Sequence, residues 1–380
     1  MDIREYLIDK YGYTAEEADK IATSSRMKNP ETVDAKLKEM FDFLGFSTAE
    51  QKSMISKWPH VLNMSVENIK GKAEFYKENY GITLAQFKNM AKLNFVPVIV
   101  SNEKVKELES FCAQNYDMSR ATFAAKLKHT PGFAGMSIDS IVQKYNVLNQ
   151  KYGIEEKDFK KLVAGAGSNF PCVSLEKIDE MAQFFEEEFG IGNKSFGHML
   201  ISGKPISCTK EKVLENFNAL QTSHDITKKQ FANMIYKCPT LICFDSATLV
   251  RRFDKMSELG FSVDTIVDNS RALSINSNKM KNRYMMAKVK GMDDKTYLSK
   301  GFMYDTRKTY ARALFLAEKK LPERYLFLTE KKFQKYTENS TDSIMIADLD
   351  MESVHRQVAK QFNAMFGTNL TLTSEEIVND

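Results

Sequence analysis

The strongest constraint on this chain is a repeat. One pattern of helix, glycine, hydroxyl cap, second helix and proline returns every 35 to 37 residues. The stretch from Ser65 to Ser101 displays it most clearly. Ile69, Ala73 and Tyr76 follow spacings of four and three, so they line one side of a helix that begins after Ser65 and ends at Tyr80 and Gly81. Gly81 can take the left-handed conformation that closes a helix, and Thr83 with Gln86 forms a capping box for a second helix through Phe87 and Met90. Pro97 stops that helix, and Ser101 caps the next copy.

The copies align column by column. The closing position reads Gly45, Gly81, Asp117, Gly153, Gly190, Asp225, Gly260, and Asp is among the few other residues that tolerate positive φ. Six residues on stand Phe87, Phe123, Phe159, Phe196, Phe231 and Ile266, one apolar anchor per second helix, with Gln51 out of pattern. Ser47, Thr83, Ser119, Thr227 and Ser262 are good caps for the second helices, whereas Glu155 and Gly192 are weaker ones. Prolines 59, 97, 131, 171, 205 and 239 follow. Ser65, Ser101, Ser137, Ser174, Thr209, Asp245 and Asn276 then each precede by four the first apolar residue of the next long helix. Only the copy at Val105, Glu109, Cys112 breaks that apolar column. A period near 36 built from two helices and a short 3-10 turn predicts an all-α solenoid, whose units bury their faces against neighbours.

Composition agrees and narrows the function classes. With 380 residues, 43% hydrophobic and 27% charged, the chain can bury a large core and has no mark of disorder or of a disulfide scaffold. Its five cysteines (112, 172, 208, 238, 243) are read as small core hydrophobes in a reducing compartment, with no disulfide expected. The acidic N-terminal stretch shows neither a secretion signal nor an Arg-rich transit peptide, and no apolar run spans a bilayer. The expected organisation is a capping half-repeat over 1–30, tandem repeats over 31–276, a basic repeat and cap over 277–338, and an acidic helix and tail over 339–380, with residues 351–365 helical.

Tetratricopeptide repeats and ankyrin repeats have different anchors. The unit Phe43-Leu44-Gly45-Phe46-Ser47, Met54-Ile55, Pro59, Leu62, Ser65 resembles instead the mitochondrial transcription termination factor (mTERF) family, with its helix, Leu-Gly-Phe-Ser, helix, Pro-x-hydrophobic-x-Ser signature. Leu259-Gly260-Phe261-Ser262 and the run Leu273 to Tyr284 carry the likeness furthest, and it covers roughly residues 4–335. The resemblance implies a right-curved, positively lined superhelix that tracks duplex DNA, in some members RNA, in organellar gene expression. It implies the mitochondrial or plastid matrix for a mature organellar form, and the cytoplasm or nucleoid for a prokaryotic protein.

The residues support a polyanion partner independently. Net charge is only +4, yet Lys279 to Lys335 holds sixteen basic and six acidic residues. A cation recurs one position before the first anchor at Lys104, Lys177, Lys212 and Lys279, in the first turn of a helix, where backbone amides already attract phosphate. Arg251, Arg252 and Lys255 lie off the apolar face of their helix, and Lys281, Arg283, Lys288 and Lys290 complete the candidate nucleic-acid contacts. The competing reading of each is a solvated surface cation.

Catalytic constellations are lacking. Gly165-Ala166-Gly167-Ser168 has no phosphate-loop Lys and reads as a loop; Cys238, Cys243 and His224 fit no zinc spacing and read as packing. Asp348 and Asp350 read as solvating charge rather than metal ligands. No enzyme, metal or cofactor is expected. The expected function is monomeric binding of double-stranded DNA in transcription or gene-expression regulation, with no membrane partner. RNA binding and a protein-interaction scaffold are the alternatives.

Overall fold

The computed structural model describes residues 2–24, 29–165, 170–289, 291–299 and 351–366. Among them are helices and turns and no strand, as the 36-residue period predicts for a helical-repeat solenoid. Ala166, Gly167 and Ser168, Lys290, the basic residues from Lys300 to Lys335, and Asp348 and Asp350 lie outside the described residues. The chain forms two compact units, Met1–Asp179 and Glu180–Asp380.

The first unit begins with α1 (Ile3–Tyr11) and α2 (Ala15–Ser24), and α3 (Pro30–Leu44) and α4 (Thr48–Lys57) follow. Next come α5 (Val66–Tyr80), α6 (Leu84–Leu93), α7 (Val96–Ile99), α8 (Asn102–Tyr116), α9 (Arg120–His129), α10 (Ile138–Tyr152) and α11 (Glu156–Ala164). The unit boundary falls inside α12 (Leu175–Phe189). The second unit continues with α13 (Asn193–Leu200), α14 (Lys210–His224), α15 (Lys228–Lys237), α16 (Ser246–Glu258), α17 (Val263–Asp268), α18 (Ser277–Val289) and α19 (Asp294–Ser299). α20 (Met351–Phe366) is the helix expected near the C-terminus.

Local chemistry sets these boundaries. Ser65, Ser101, Ser137, Ser174, Thr209 and Asp245 each accept a hydrogen bond from the amide three residues on, at 2.8 to 3.3 Å. Each thereby satisfies one of the amides a helix start leaves without a partner. Ser47, Thr83, Ser119, Thr227 and Ser262 do the same for the second helices, and Glu155 and Gly192 do not. Every closing position is left-handed, including Asp117 at φ 52° and Asp225 at φ 54°, the two non-glycine residues with positive φ among the described residues. Pro59, Pro131 and Pro239 open 3-10 turns at Pro59–Asn63, Pro131–Gly135 and Pro239–Cys243. Pro97 differs: it sits at the second position of α7, a single α-turn, because an N–H is not needed there. That turn packs against the next one, where a Cβ on Gly135 would stand 2.5 Å from Cγ1 of Val96.

The anchor column is the core. Phe87, Phe123, Phe159, Phe196, Phe231 and Ile266 are each at most 1% exposed. The residue before the closing position reaches the next repeat's anchor: Tyr80 meets Phe123 at 5.7 Å, Tyr116 meets Phe159 at 5.8 Å, and Phe189 meets Phe231 at 5.3 Å between ring centroids. Such ring pairs add about 0.5–1.5 kcal/mol to the area they bury. Both exceptions to the columns have structural reasons. Gln51 is half-buried, donates to the Phe46 carbonyl at 2.9 Å, and ties the half-repeat down by accepting from Tyr11. In α8 the core position passes to Leu108, and Glu109, half-buried beside it, accepts from Tyr80 at 3.0 Å and Arg120 at 2.7 Å.

Candidate nucleic-acid interface

The first turns of the long helices carry the repeating cations. Caps occupy the amides of Lys104, Lys177 and Lys212, so their side chains leave from an ordered turn. Lys177 is exposed, Lys104 and Lys279 are half-buried, and none of the three pairs with a carboxylate among the described residues. Lys212 pairs with Glu215 at 3.0 Å, Lys255 with Glu258 at 2.9 Å, and Lys288 with Asp294 at 3.1 Å. Exposed pairs of this kind contribute about 0–1 kcal/mol, so a phosphate can compete for the cation. Exposed Arg251 donates to the Thr248 hydroxyl at 3.3 Å, which holds its guanidinium over the first turn of α16.

A second set of polar residues, seven positions after four of the caps, faces inward. Lys72 on α5 donates to the Val100 carbonyl and to Asn102 at 2.7 Å. Lys144 on α10 donates to the carbonyls of Phe170, Pro171 and Val173. Asn216 on α14, fully buried, donates to those of Leu241, Ile242 and Phe244 at 3.1 to 3.4 Å. Arg252 on α16 donates to Leu273 at 2.9 Å and lies 4.0 Å over the Phe244 ring. Most of the acceptors are late carbonyls of the following turn, those of Val100, Val173 and Phe244 among them, which a short helix leaves without partners. Burial lowers the pKa of Lys144, and that of the equally buried Lys126, to about 8.

Three of the sequence-assigned cations stand in packed surroundings. Arg252 is not a surface cation beside Arg251; it is a strut between α16 and the turn Ser270–Ser274. Lys281 is 9% exposed and Arg283 is half-buried, because α18 packs on α16 and also on α20, with Tyr284 meeting Phe362 at 5.9 Å. A helix covered on two sides has little surface on which to present its cations. Lys290 lies outside the described residues.

Sequence reasoning missed the inward column, although its signal was present: Lys72, Lys144, Asn216 and Arg252 share one register in the repeat. It also treated the cysteines as scattered. The structure places Cys208 and Cys243 side by side, with sulfurs 3.0 Å apart. Among the described residues no group of three metal-ligating side chains converges, and no helix is long and apolar enough to cross a membrane.

The family model for mTERF matches residues 23–90 and 133–310, which takes in both units and most of the helices above. No curated relative matches the chain. On its repeat register, its all-α repeat fold and that match, the chain belongs to the mTERF family of nucleic-acid-binding helical-repeat proteins.

Proposed function

We propose that the chain binds double-stranded DNA through the first turns of its long helices, without a cofactor, and acts there in transcription. One observation carries the reading: Lys104, Lys177, Lys212 and Lys279 recur at one register, each in a helix's first turn, where the axial dipole already favours an anion. Arg251 adds a guanidinium beside the same kind of turn. Contacts of this type neutralise phosphates and position the protein, and they carry no base code of their own.

The test is a binding series with duplex DNA, duplex RNA and single strands across a range of salt. Duplex DNA binding should weaken with a log-log slope of about −0.9 per phosphate neutralised. Tighter binding to single-stranded RNA in direct competition would replace DNA with RNA as the partner. Salt-insensitive retention of a protein and of no nucleic acid would make the chain a scaffold.

A further inference from the structure

The repeat period brings equivalent residues together, and in one place those residues are thiols. Cys208 ends the turn before α14, and Cys243 ends the turn before α16, 35 residues later. Their sulfurs stand 3.0 Å apart, so closing to the ~2.05 Å of a disulfide requires a movement of only about 1 Å. Cys243 is exposed and Cys208 is half-buried, so a small reagent reaches the pair from one side. The other thiols have no such partner: Cys112 and Cys238 are buried, and the sulfur nearest Cys172 is that of Met136, at 4.0 Å.

The two sulfurs are also unequal. The hydrogen bond shared with Cys208 lowers the pKa of Cys243, helped by Ser207, whose hydroxyl lies 3.7 Å away, and by the charge of Lys204. The same hydrogen bond, with burial, raises the pKa of Cys208. Cys243, the exposed thiol of the pair, is the one a peroxide reaches first and so the nucleophile, with Cys208 as the resolving thiol.

We propose that Cys208 and Cys243 form a modification site, a dithiol that hydroperoxides convert into a disulfide joining two consecutive repeats. The Cys243 thiolate attacks the terminal oxygen of the peroxide; an S–O bond forms, the O–O bond breaks, and the departing oxygen leaves as water or alcohol after taking up a proton. Cys208 then loses its proton and attacks the sulfenic sulfur; the S–S bond forms, the S–O bond breaks, and hydroxide leaves with that proton as water. The two thiols together give up two electrons, and the peroxide accepts them. A dithiol reductant reverses the bond by exchange. The site stands independently of the nucleic-acid reading, because both thiols and their neighbours belong to the second unit's own packing.

The test uses the full reduced chain, treated with hydrogen peroxide in slight excess, alkylated and mapped by mass spectrometry without reduction. The expected product is an intramolecular Cys208–Cys243 linked peptide that disappears on dithiothreitol treatment. Sulfinic acid on Cys243 with Cys208 still alkylatable would overturn the proposal, and so would a product dominated by intermolecular links. Before oxidation, Cys243 should react with iodoacetamide at pH 6 about tenfold faster than it does in C208A, which has no donor at that position, since a thiolate excess outweighs the lower nucleophilicity of a weaker base. Equal rates in the two proteins, with C208A shown to be folded by circular dichroism, would equally count against it.

Discussion

Two sets of cations in this molecule differ only in where they fall within the repeat. Lys104, Lys177 and Lys279 sit three residues after a cap and pair with no carboxylate among the described residues, whereas Lys72, Lys144 and Arg252 sit seven residues after one and reach the carbonyls of the next turn. The difference follows from helix geometry. Four residues is just over one turn, so both sets share a side of the helix, but the later one lies deeper along it, level with the neighbouring repeat's turn. Charge alone therefore says little about role here; register says most of it.

The comparison can be broken hardest at the inward column. Lys144→Ala strands the carbonyls of Pro171 and Val173 and should lower the unfolding free energy by about 2–4 kcal/mol in urea titrations. Duplex affinity per folded molecule should stay within about twofold. Lys144→Met copies Met181, which occupies the same register one repeat on, and should recover part of that loss. A large loss of binding with little loss of stability would reverse the roles of the two sets.

Next in size is the outward set. Reversing Lys177 and Lys279 together to Glu should reduce duplex affinity about tenfold or more at moderate salt and flatten the salt slope by about 0.9 per contact removed. Stability should move by no more than about 0.5 kcal/mol. An unchanged slope would remove both from the interface.

A smaller effect comes from pH. In the folded chain Lys144 and Lys126 titrate near 8, below the ~10.4 of an exposed lysine, so between those values the unfolded chain holds more protons. Stability therefore rises with pH across that window, and the cost of burying the charge is greatest below it. Lys144→Met should shrink the rise, by an amount of order 1 kcal/mol when the two proteins are compared at pH 8 and pH 10. The smallest change is expected at a position outside both sets: Asp117→Gly relieves a left-handed side chain and should stabilise by less than about 1 kcal/mol in the same titration.

Much of the fold was legible because it rests on local rules repeated many times. Seven closing positions, five caps of second helices and six anchors were readable from residue type and spacing, and the structure places them as read. Glu109 and Gln51 were visible as exceptions, but their reasons, a hydroxyl from Tyr80 and a tie to Tyr11, depend on contacts between helices. The site was less legible for the same cause. Arg252 looks like its neighbour Arg251 in sequence, and only the turn Ser270–Ser274 above it decides that it faces inward. Lys281 lies on α18, which packs against α20, some seventy residues later. The Cys208–Cys243 pair could have been found by reading the cysteines against the period rather than against each other.

The ring contacts between repeats have a consequence for how such a chain can change length. Tyr80 meets Phe123 much as Tyr116 meets Phe159, at 5.7 and 5.8 Å. Excising residues 82–117 would splice Gly81 onto Met118, leaving a glycine at the junction that Asp117 now fills and Tyr80 opposite Phe159. The seam would heal with the same partners in kind, so genes of this sort can gain or shed whole modules without inventing a new joint.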